Sequence, residues 1–249
     1  MNEIREALLK VAQYLFDHAE MWNAWVVITH APELIKDDIE VITLKNRIKA
    51  RLDLMHEFAT KGRRNSGFVD PPNVTEKVAY NKLKEKLEKL ELNKLVDVGC
   101  FSGWLGRNLS IWGFRVHGID IDPEVIQTAT YLSSGTRATF EVLTAEQLGA
   151  KYPKTFDGAV LFDLFEHLFD PLVTLQSVEL SVKDDGWVFI NLPNAEVEST
   201  VTGDDRYKEH LHTFSEKTID EIFGKKKNFT KENIENEEGS KNWFLSYQI

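Results

Sequence analysis

Residues 94–106 read KLVDVGCFSGWLG, and this stretch decides the fold. The apolar residues around Asp97 predict a short buried strand, and Gly99 ends that strand with a tight turn. A carboxylate inside an apolar strand is costly unless something pairs with it. We therefore expect Asp97 to face a ligand, and the rest of the chain indicates which one.

The alternation of strands and helices continues from Lys94 to the end of the chain. Asp122-Pro123 and Asp170-Pro171 predict helix N-termini, because aspartate caps a helix and proline suits its first turn. Ser215 predicts a third N-terminus. This alternation is typical of an α/β, doubly wound fold with a parallel sheet covered on both faces. The predicted strands are KLVDVG, FRVHGIDI, ATFEVLT, FDGAVLFD and GWVFINLP, the last after a KDDG turn, and two more joined at Glu238-Gly239.

The segment from Asn2 to about Leu92 shows helical periodicity and almost no strand punctuation. We predict an N-terminal helical extension over residues 1–73 and a ligand-binding domain over residues 74–249, with the loop GRRNSGFVDPPN between them. The extension is either a cap packed on the main domain or a lid, because Phe68 and two prolines lie just ahead of the ligand-binding part. The first helix should bury one apolar face, made of Ile4, Leu8, Val11, Leu15 and Met21.

The composition excludes several classes of protein. The chain has 249 residues, a formal net charge of −10 and one cysteine, Cys100, which rules out an internal disulfide and a cysteine-rich zinc site. Its acidity disfavours a generic binder of phosphate backbones. No signal-peptide pattern opens the chain, and its apolar runs are far shorter than the about 20 residues of a membrane span. We expect a soluble, cytoplasmic protein.

The predicted ligand site lies at the carboxyl ends of the strands, where Gly99 to Gly103 form the first strand-to-helix turn. A dinucleotide fingerprint would need glycine at positions 101 and 104, but these are Phe101 and Trp104, which disfavours a dinucleotide. Asp120 closes the second strand, where a carboxylate can accept hydrogen bonds from ribose hydroxyls. Glu146 or the backbone around Ala145 would meet an adenine edge.

Several motifs follow one another in a defined order: LVDVGCFSG, VHGIDIDPEVI, TAEQL, FDGAVLFDLFEHLFDP, DGWVFINLPN and EHLHTFSEKTIDEIF. In this order and spacing they resemble class I S-adenosylmethionine-dependent methyltransferases, over about sixty per cent of the chain. The resemblance implies a Rossmann-like sheet of seven strands with the last strand antiparallel. This chain departs from the family at Phe101, where glycine is usual.

The resemblance also implies S-adenosyl-L-methionine as cofactor. Asp97 would then compensate the ammonium of its methionine part, Asp120 would hold the ribose, Glu146 would lie near the adenine, and Asp163 would flank the methionine arm. The cofactor-binding residues predicted in this way are Asp97, Gly99, Phe101, Gly103, Asp120, Ile121, Ala145, Glu146, Asp163 and Leu164.

Methyl transfer to a hydroxyl or an amine also requires a base, because the acceptor must lose a proton. Histidine can do this near neutral pH. We rank His167 first, ahead of His210 and His212, while Glu166-His167 could equally be a structural pair. Asp163, Glu166, His167 and His212 could instead bind a metal, but their spacing is not diagnostic, and we expect none.

The acceptor is predicted from the EHLxDP pattern, which points towards small-molecule, quinone or sugar methyltransferases. Trp104, Phe165 and Phe169 would line an apolar pocket or pack in the core. One alternative is a methyltransferase acting on tRNA or another nucleic acid through KGRRN and GKKKN. The other is a non-catalytic, cofactor-binding assembly partner with the helical N-terminal half as its interface. Apart from these alternatives, the N-terminal helices could form a homodimer.

Overall fold

The computed structural model describes residues 2–17, 40–46, 49, 74–194, 210–235 and 241–249. The chain divides into two compact units. The first comprises Met1–Ser66 with Asp205–His212, and the second comprises Gly67–Asp204 with Thr213–Ile249. The predicted boundary after residue 73 lies outside the described residues and stays a prediction.

The first unit contains helix α1 (Asn2–Asp17) and a helical stretch over residues 40–46. In α1, Ala12 is fully buried and Leu8 is half-buried, but Val11 is 49% exposed. Val11 was therefore wrongly assigned to the buried face, whereas Leu8 agrees with the prediction; Leu8 and Ala12 form an i, i+4 pair on one side of the helix. The other predicted members of that face lie outside the residues whose side chains are described.

The described part of the second unit forms one seven-stranded sheet, in the order β3-β2-β1-β4-β5-β7-β6. Strands β1 to β5 pair in parallel, and β7 runs antiparallel to β5 and β6. The predicted Rossmann-like sheet with its last strand antiparallel is confirmed. The strands are β1 (Lys94–Val98), β2 (Arg115–Asp120), β3 (Thr139–Val142), β4 (Phe156–Phe162), β5 (Val182–Pro193), β6 (Lys227–Glu235) and β7 (Lys241–Gln248).

The helices of this unit begin where capping residues predict. Asp122 Oδ1 accepts from the backbone N–H of Glu124 at 2.9 Å, and Asp170 Oδ1 accepts from that of Val173 at 3.0 Å. Ser215 caps the last helix in the same way. These contacts satisfy amide groups that have no partner within the helix. The helices are α2 (Val74–Leu87), α3 (Trp104–Ile111), α4 (Pro123–Leu132), α5 (Ala145–Lys151), α6 (Pro171–Ser181) and α7 (Glu216–Phe223), with a 3-10 turn at Phe165–His167.

The predicted KDDG turn is wrong, because β5 already begins at Val182. Phe156 pairs with Val182 but Gly158 pairs with Trp187, so the residues between bulge out of the ladder. Asp185 has a φ of 63°, and a Cβ on Gly186 would lie 2.5 Å from Val182 Cγ1. Glycine lets the chain close this bulge within the strand. The glycine-containing sequence that predicts a turn therefore forms a bulge instead.

The core lies on both faces of the sheet. One face packs on α5, α6 and α7, and the other packs on α2 and α3. Phe165 is fully buried against Phe214 and Phe223, with ring centroids 5.2 and 5.9 Å away. Phe165 is therefore a core residue, and not part of an apolar ligand pocket.

The sheet order fixes where a ligand can bind. The chain leaves β1 towards β2 and β3, then returns to β4 on the other side of β1. A crevice opens at such a switch point, between the carboxyl ends of β1 and β4. No helix in the described part of the chain is long and apolar enough to cross a bilayer.

Gly103 provides a test of how tightly the turn before α3 is packed. Its φ is 75°, and a Cβ there would lie 2.7 Å from Phe140 Cζ and 2.9 Å from Ala129 Cβ. Gly135 has a φ of 85° with nothing within 4 Å. We expect Gly135→Ala to lose about 1–2 kcal/mol of unfolding free energy, which is the backbone cost alone. Gly103→Ala should lose about 1–3 kcal/mol more.

Urea unfolding of the two variants beside the wild type measures both losses. Equal losses of unfolding free energy in the two variants would contradict the packing argument, since they would mean that Phe140 moves aside without an energetic penalty.

Candidate active site

Asp97 is 3% exposed, and it sits in β1 between Gly118 of β2 and Val160 of β4. Its Oδ2 has no hydrogen-bond partner among the described residues. Burial raises the pKa of Asp97 to about 7, the backbone N–H of Gly106 opposes this rise, and the nearby charge of Asp120 adds to it. The carboxylate is thus an incompletely satisfied anion that a bound cation would stabilise.

The turn after β1 is tied to β2 by three hydrogen bonds. The N–H groups of Gly99 and Cys100 donate to Ile119 O at 2.8 and 2.9 Å, and that of Phe101 donates to Asp120 Oδ2 at 3.1 Å. Gly99 and Phe101 have φ values of 73° and 45°. Phe101 thus adopts the left-handed backbone that glycine favours, at a cost on the order of 1–3 kcal/mol that the surrounding bonds must offset.

Asp120 is half-buried at the carboxyl end of β2. Besides Phe101, it accepts from the backbone N–H of Asp122 through Oδ1 at 3.0 Å. These bonds fix the orientation of the carboxylate at the end of the strand. The next residue, Ile121, is 46% exposed. The cofactor roles of Asp120 and Ile121 stay predictions.

The carboxylate of Glu146 points to α6. It accepts from Thr174 Oγ at 2.8 Å, while Ser177 Oγ donates to the backbone O of Glu146 at 2.9 Å. The start of α5 is therefore anchored to α6. This arrangement favours the backbone near Ala145, rather than the Glu146 side chain, as the group that meets an adenine edge.

Asp163 follows β4 directly and has a φ of 47°. Its Oδ1 accepts from Asn191 Nδ2 of β5 at 2.8 Å and from Asn242 Nδ2 of β7 at 3.3 Å. The next side chain, Leu164, packs on the glycine turn, with its Cδ1 2.9 Å from where a Cβ of Gly99 would lie. The carboxyl end of β4 and the turn after β1 thus adjoin.

Sequence reasoning missed Asn191 and Asn242. The signal was present, since each is an amide within an apolar strand, INLP and KNWFL. A buried polar side chain needs a partner, which is the reasoning that singled out Asp97.

The predicted catalytic histidines fall in different units. His167 is half-buried at the end of the 3-10 turn, and its Nε2 lies 3.8 Å from Oε1 of the buried Glu166. His210 and His212 belong to the first unit. All three catalytic roles stay predictions, as does the expectation of no metal. KGRRN and the predicted lid residues lie outside the described part of the chain.

The raised pKa of Asp97 gives stability a pH dependence of known sign. Because the folded state binds this proton more tightly than the unfolded state, the free energy of unfolding falls as pH rises from about 4 to about 7. Asp97→Asn removes this component. The free energy of unfolding of the variant minus that of the wild type should rise by on the order of 3 kcal/mol between pH 4 and pH 8.

Denaturant unfolding of both proteins across this range measures the difference, in which other titrating groups largely cancel. A difference that stays constant with pH would contradict the assigned protonation.

Comparisons with known proteins agree with this geometry. A family model described as a methyltransferase domain matches residues 45–234, about three quarters of the chain. A ubiquinone biosynthesis O-methyltransferase of Paraburkholderia phymatum is 34% identical over 108 residues, which are 43% of this chain and 47% of that protein. One from Vibrio cholerae is 31% identical over 135 residues, 53% of this chain and 55% of that protein.

This chain therefore spans about half the length of the relatives it matches. A solved S-adenosylmethionine-dependent methyltransferase from Methanosarcina mazei has the same fold, with a TM-score of 0.54 and 20% identity, over 66% of this chain and 96% of that one. The match over most of the chain, on a sheet with this strand order, shows that the chain belongs to the class I, S-adenosylmethionine-dependent family of methyltransferase domains.

Proposed function

We propose that this protein transfers the methyl group of S-adenosylmethionine to a hydroxyl group of a small-molecule acceptor, of quinone or sugar type, by in-line displacement. The observation that carries the proposal is the buried Asp97 carboxylate beside the glycine turn. Its Oδ2 has no partner among the described residues, which fits the ammonium of an amino-acid moiety. An amine or a carbon acceptor would use the same site.

Different residues around the crevice would bind different parts of this cofactor. Asp97 would face the ammonium, Asp120 would accept from the ribose hydroxyls, and the exposed Ile121 with the backbone near Ala145 would border the adenine. When bound, the cofactor supplies a methyl group activated by a sulfonium. The turn from Gly99 to Gly103 fixes the backbone there, so little ordering remains to be done on binding.

The remaining task falls to a base, and His167 supports this part of the proposal. A neutral imidazole at the end of the 3-10 turn can accept the proton of an acceptor hydroxyl as its oxygen attacks. Glu166, with Oε1 3.8 Å from His167 Nε2, would stabilise the imidazolium formed. The proton of the acceptor hydroxyl would stay on His167, so Glu166 would not have to accept a proton.

The acceptor class is supported by the relatives, whose names describe O-methyltransferases of ubiquinone biosynthesis. A nucleic-acid acceptor is the alternative, and the structure weighs against its GKKKN contact. Lys226 pairs with Glu179 at 2.6 Å and Lys227 pairs with Asp185 at 2.6 Å. Because β6 begins at Lys227 and runs parallel to β1, this segment lies at the edge opposite the crevice.

A homodimer through the N-terminal helices and a cytoplasmic location are further parts of the proposal. A non-catalytic, cofactor-binding assembly partner is the rival of the proposed function, and methyl transfer to any acceptor would dismiss it.

Cofactor binding is tested with Asp120→Ala and a matched control, Asp157→Ala. Asp157 also accepts hydrogen bonds from two backbone N–H groups, of Asn93 at 3.0 Å and Lys94 at 2.8 Å, but it lies at the start of β4.

Calorimetry with S-adenosylhomocysteine should give a micromolar or tighter Kd for the wild type. Asp120→Ala should weaken binding roughly 10- to 100-fold, because hydrogen bonds to a charged group are lost. Asp157→Ala should leave the Kd within about twofold of wild type. Equal affinity in all three proteins would refute the ribose assignment.

Catalysis is tested by incubating cell extract with the protein and methyl-labelled cofactor, then finding the labelled compound by mass spectrometry. Label in a small molecule is expected, and label in RNA would overturn the acceptor class. With the identified acceptor, His167→Ala should lose about 10²- to 10⁴-fold in rate while it retains affinity for S-adenosylhomocysteine. An unchanged rate would remove His167 from the mechanism.

A further inference from the structure

Asn191 occupies a place in the sheet where an apolar side chain would be expected. It is 0% exposed, and the register sets it between Phe162 of β4 and Phe244 of β7. The rings of these two phenylalanines lie 6.2 Å apart. Directly opposite residues of neighbouring strands point to the same face, so the amide shares its surroundings with two aromatic rings.

The amide of Asn191 is only half satisfied there. Its Nδ2 donates to Asp163 Oδ1 at 2.8 Å, while its Oδ1 has no partner among the described residues. The orientation of the amide follows from its chemistry, since the reverse orientation would set two acceptor oxygens against each other. A buried acceptor without a partner is destabilising. The residue is thus poorly suited to stability and well suited to holding Asp163.

A second amide acts on the same oxygen of Asp163. Asn242 Nδ2 of β7 lies 3.3 Å from Oδ1, and the backbone N–H of Asp163 donates to Asn191 O at 3.0 Å. Amide donors hold a carboxylate in one orientation and favour its ionised form. Asp163 also has a φ of 47°, a conformation that persists only where its surroundings enforce it.

We propose that Asn191 and Asn242 are positioning residues that hold the Asp163 carboxylate at the crevice for binding of the cationic cofactor. The inference rests on the proposed function, because it needs the cofactor in the crevice between β1 and β4. Asn191 is the stronger of the two positions, since its contact is shorter and it also holds the backbone of Asp163.

The test is a double-mutant cycle in the full chain, read by calorimetry with S-adenosylhomocysteine. The proteins are the wild type, Asp163→Asn, Asn191→Leu and the double variant. Asp163→Asn should weaken binding at least 10-fold, and Asn191→Leu at least fivefold. In the Asp163→Asn background, Asn191→Leu should change the Kd less than twofold, because its effect passes through Asp163.

Stability supplies a second readout. Asn191→Leu removes a buried acceptor without a partner among the described residues, but it also removes a donor to the Asp163 carboxylate, so the two effects on stability oppose each other and its urea midpoint should lie close to that of the wild type. Lower affinity with a nearly unchanged midpoint supports positioning. Lower stability with unchanged affinity would overturn the proposal.

Two further variants complete the experiment. Asn242→Leu should weaken binding less than Asn191→Leu does, again only while Asp163 is present, and it decides the question if Asn191→Leu does not fold. Ser246→Ala is the matched control, because Ser246 is a fully buried polar residue of β7 whose hydroxyl lies 2.7 Å from Thr230 Oγ. Its Kd should equal that of the wild type.

The outcomes separate this proposal from the proposed function. If the wild type does not bind S-adenosylhomocysteine, both are wrong. If it binds and Asp120→Ala weakens binding, but the effects of Asn191→Leu and Asp163→Asn are additive, only the positioning role is wrong.

Discussion

The buried charge of Asp97 is the constraint on which the rest of the site depends. Removing a carboxylate from water costs more than one backbone N–H, that of Gly106, returns, so its pKa rises to about 7. This carboxylate lies next to the switch point of the sheet, where the chain leaves β1 and β4 in opposite directions. A cationic ligand at that point would be stabilised by the carboxylate and would favour its ionised form. The same residue therefore explains both a weakness of the fold and a property of the site.

Both loops that flank the crevice contain a strained backbone position. Phe101 on one loop and Asp163 on the other take left-handed φ values. Each is held by a polar contact from a neighbouring strand: Asp120 accepts from the N–H of Phe101, and the carbonyl of Asn191 accepts from that of Asp163. Since these contacts come from strand residues, the loops are fixed by the sheet itself. This is a physical reason for a pre-formed crevice, and it shows how phenylalanine can stand where the family usually has glycine.

Sequence patterns predicted most of the sheet and the strand ends that carry the candidate site residues, because both depend on local signals. Apolar runs, glycine turns and Asp-Pro caps act over a few residues, so Asp97, Asp120 and the start of α4 could be placed from them. The failures involve partners distant in the chain. The contact of Glu146 with Thr174 spans 28 residues, and that of Asn242 with Asp163 spans 79. The KDDG stretch failed for a related reason: whether a glycine-containing break becomes a turn or a bulge depends on the neighbouring strand, here β4.

The two edges of the sheet treat their acidic residues differently, and this difference bears on the ligand. At the edge where the parallel strands begin, acids meet lysines: Asp157 lies 2.7 Å from Lys183, and Asp185 lies 2.6 Å from Lys227. At the carboxyl edge, Asp97, Asp120 and Asp163 receive hydrogen bonds from backbone N–H groups and side-chain amides. A hydrogen bond from an N–H group holds a carboxylate in one orientation. The three acids at the carboxyl ends of the strands are therefore oriented by groups of the same sheet and its loops, and acids placed in this way suit a cofactor that carries an ammonium and a sulfonium charge, as the proposed function requires.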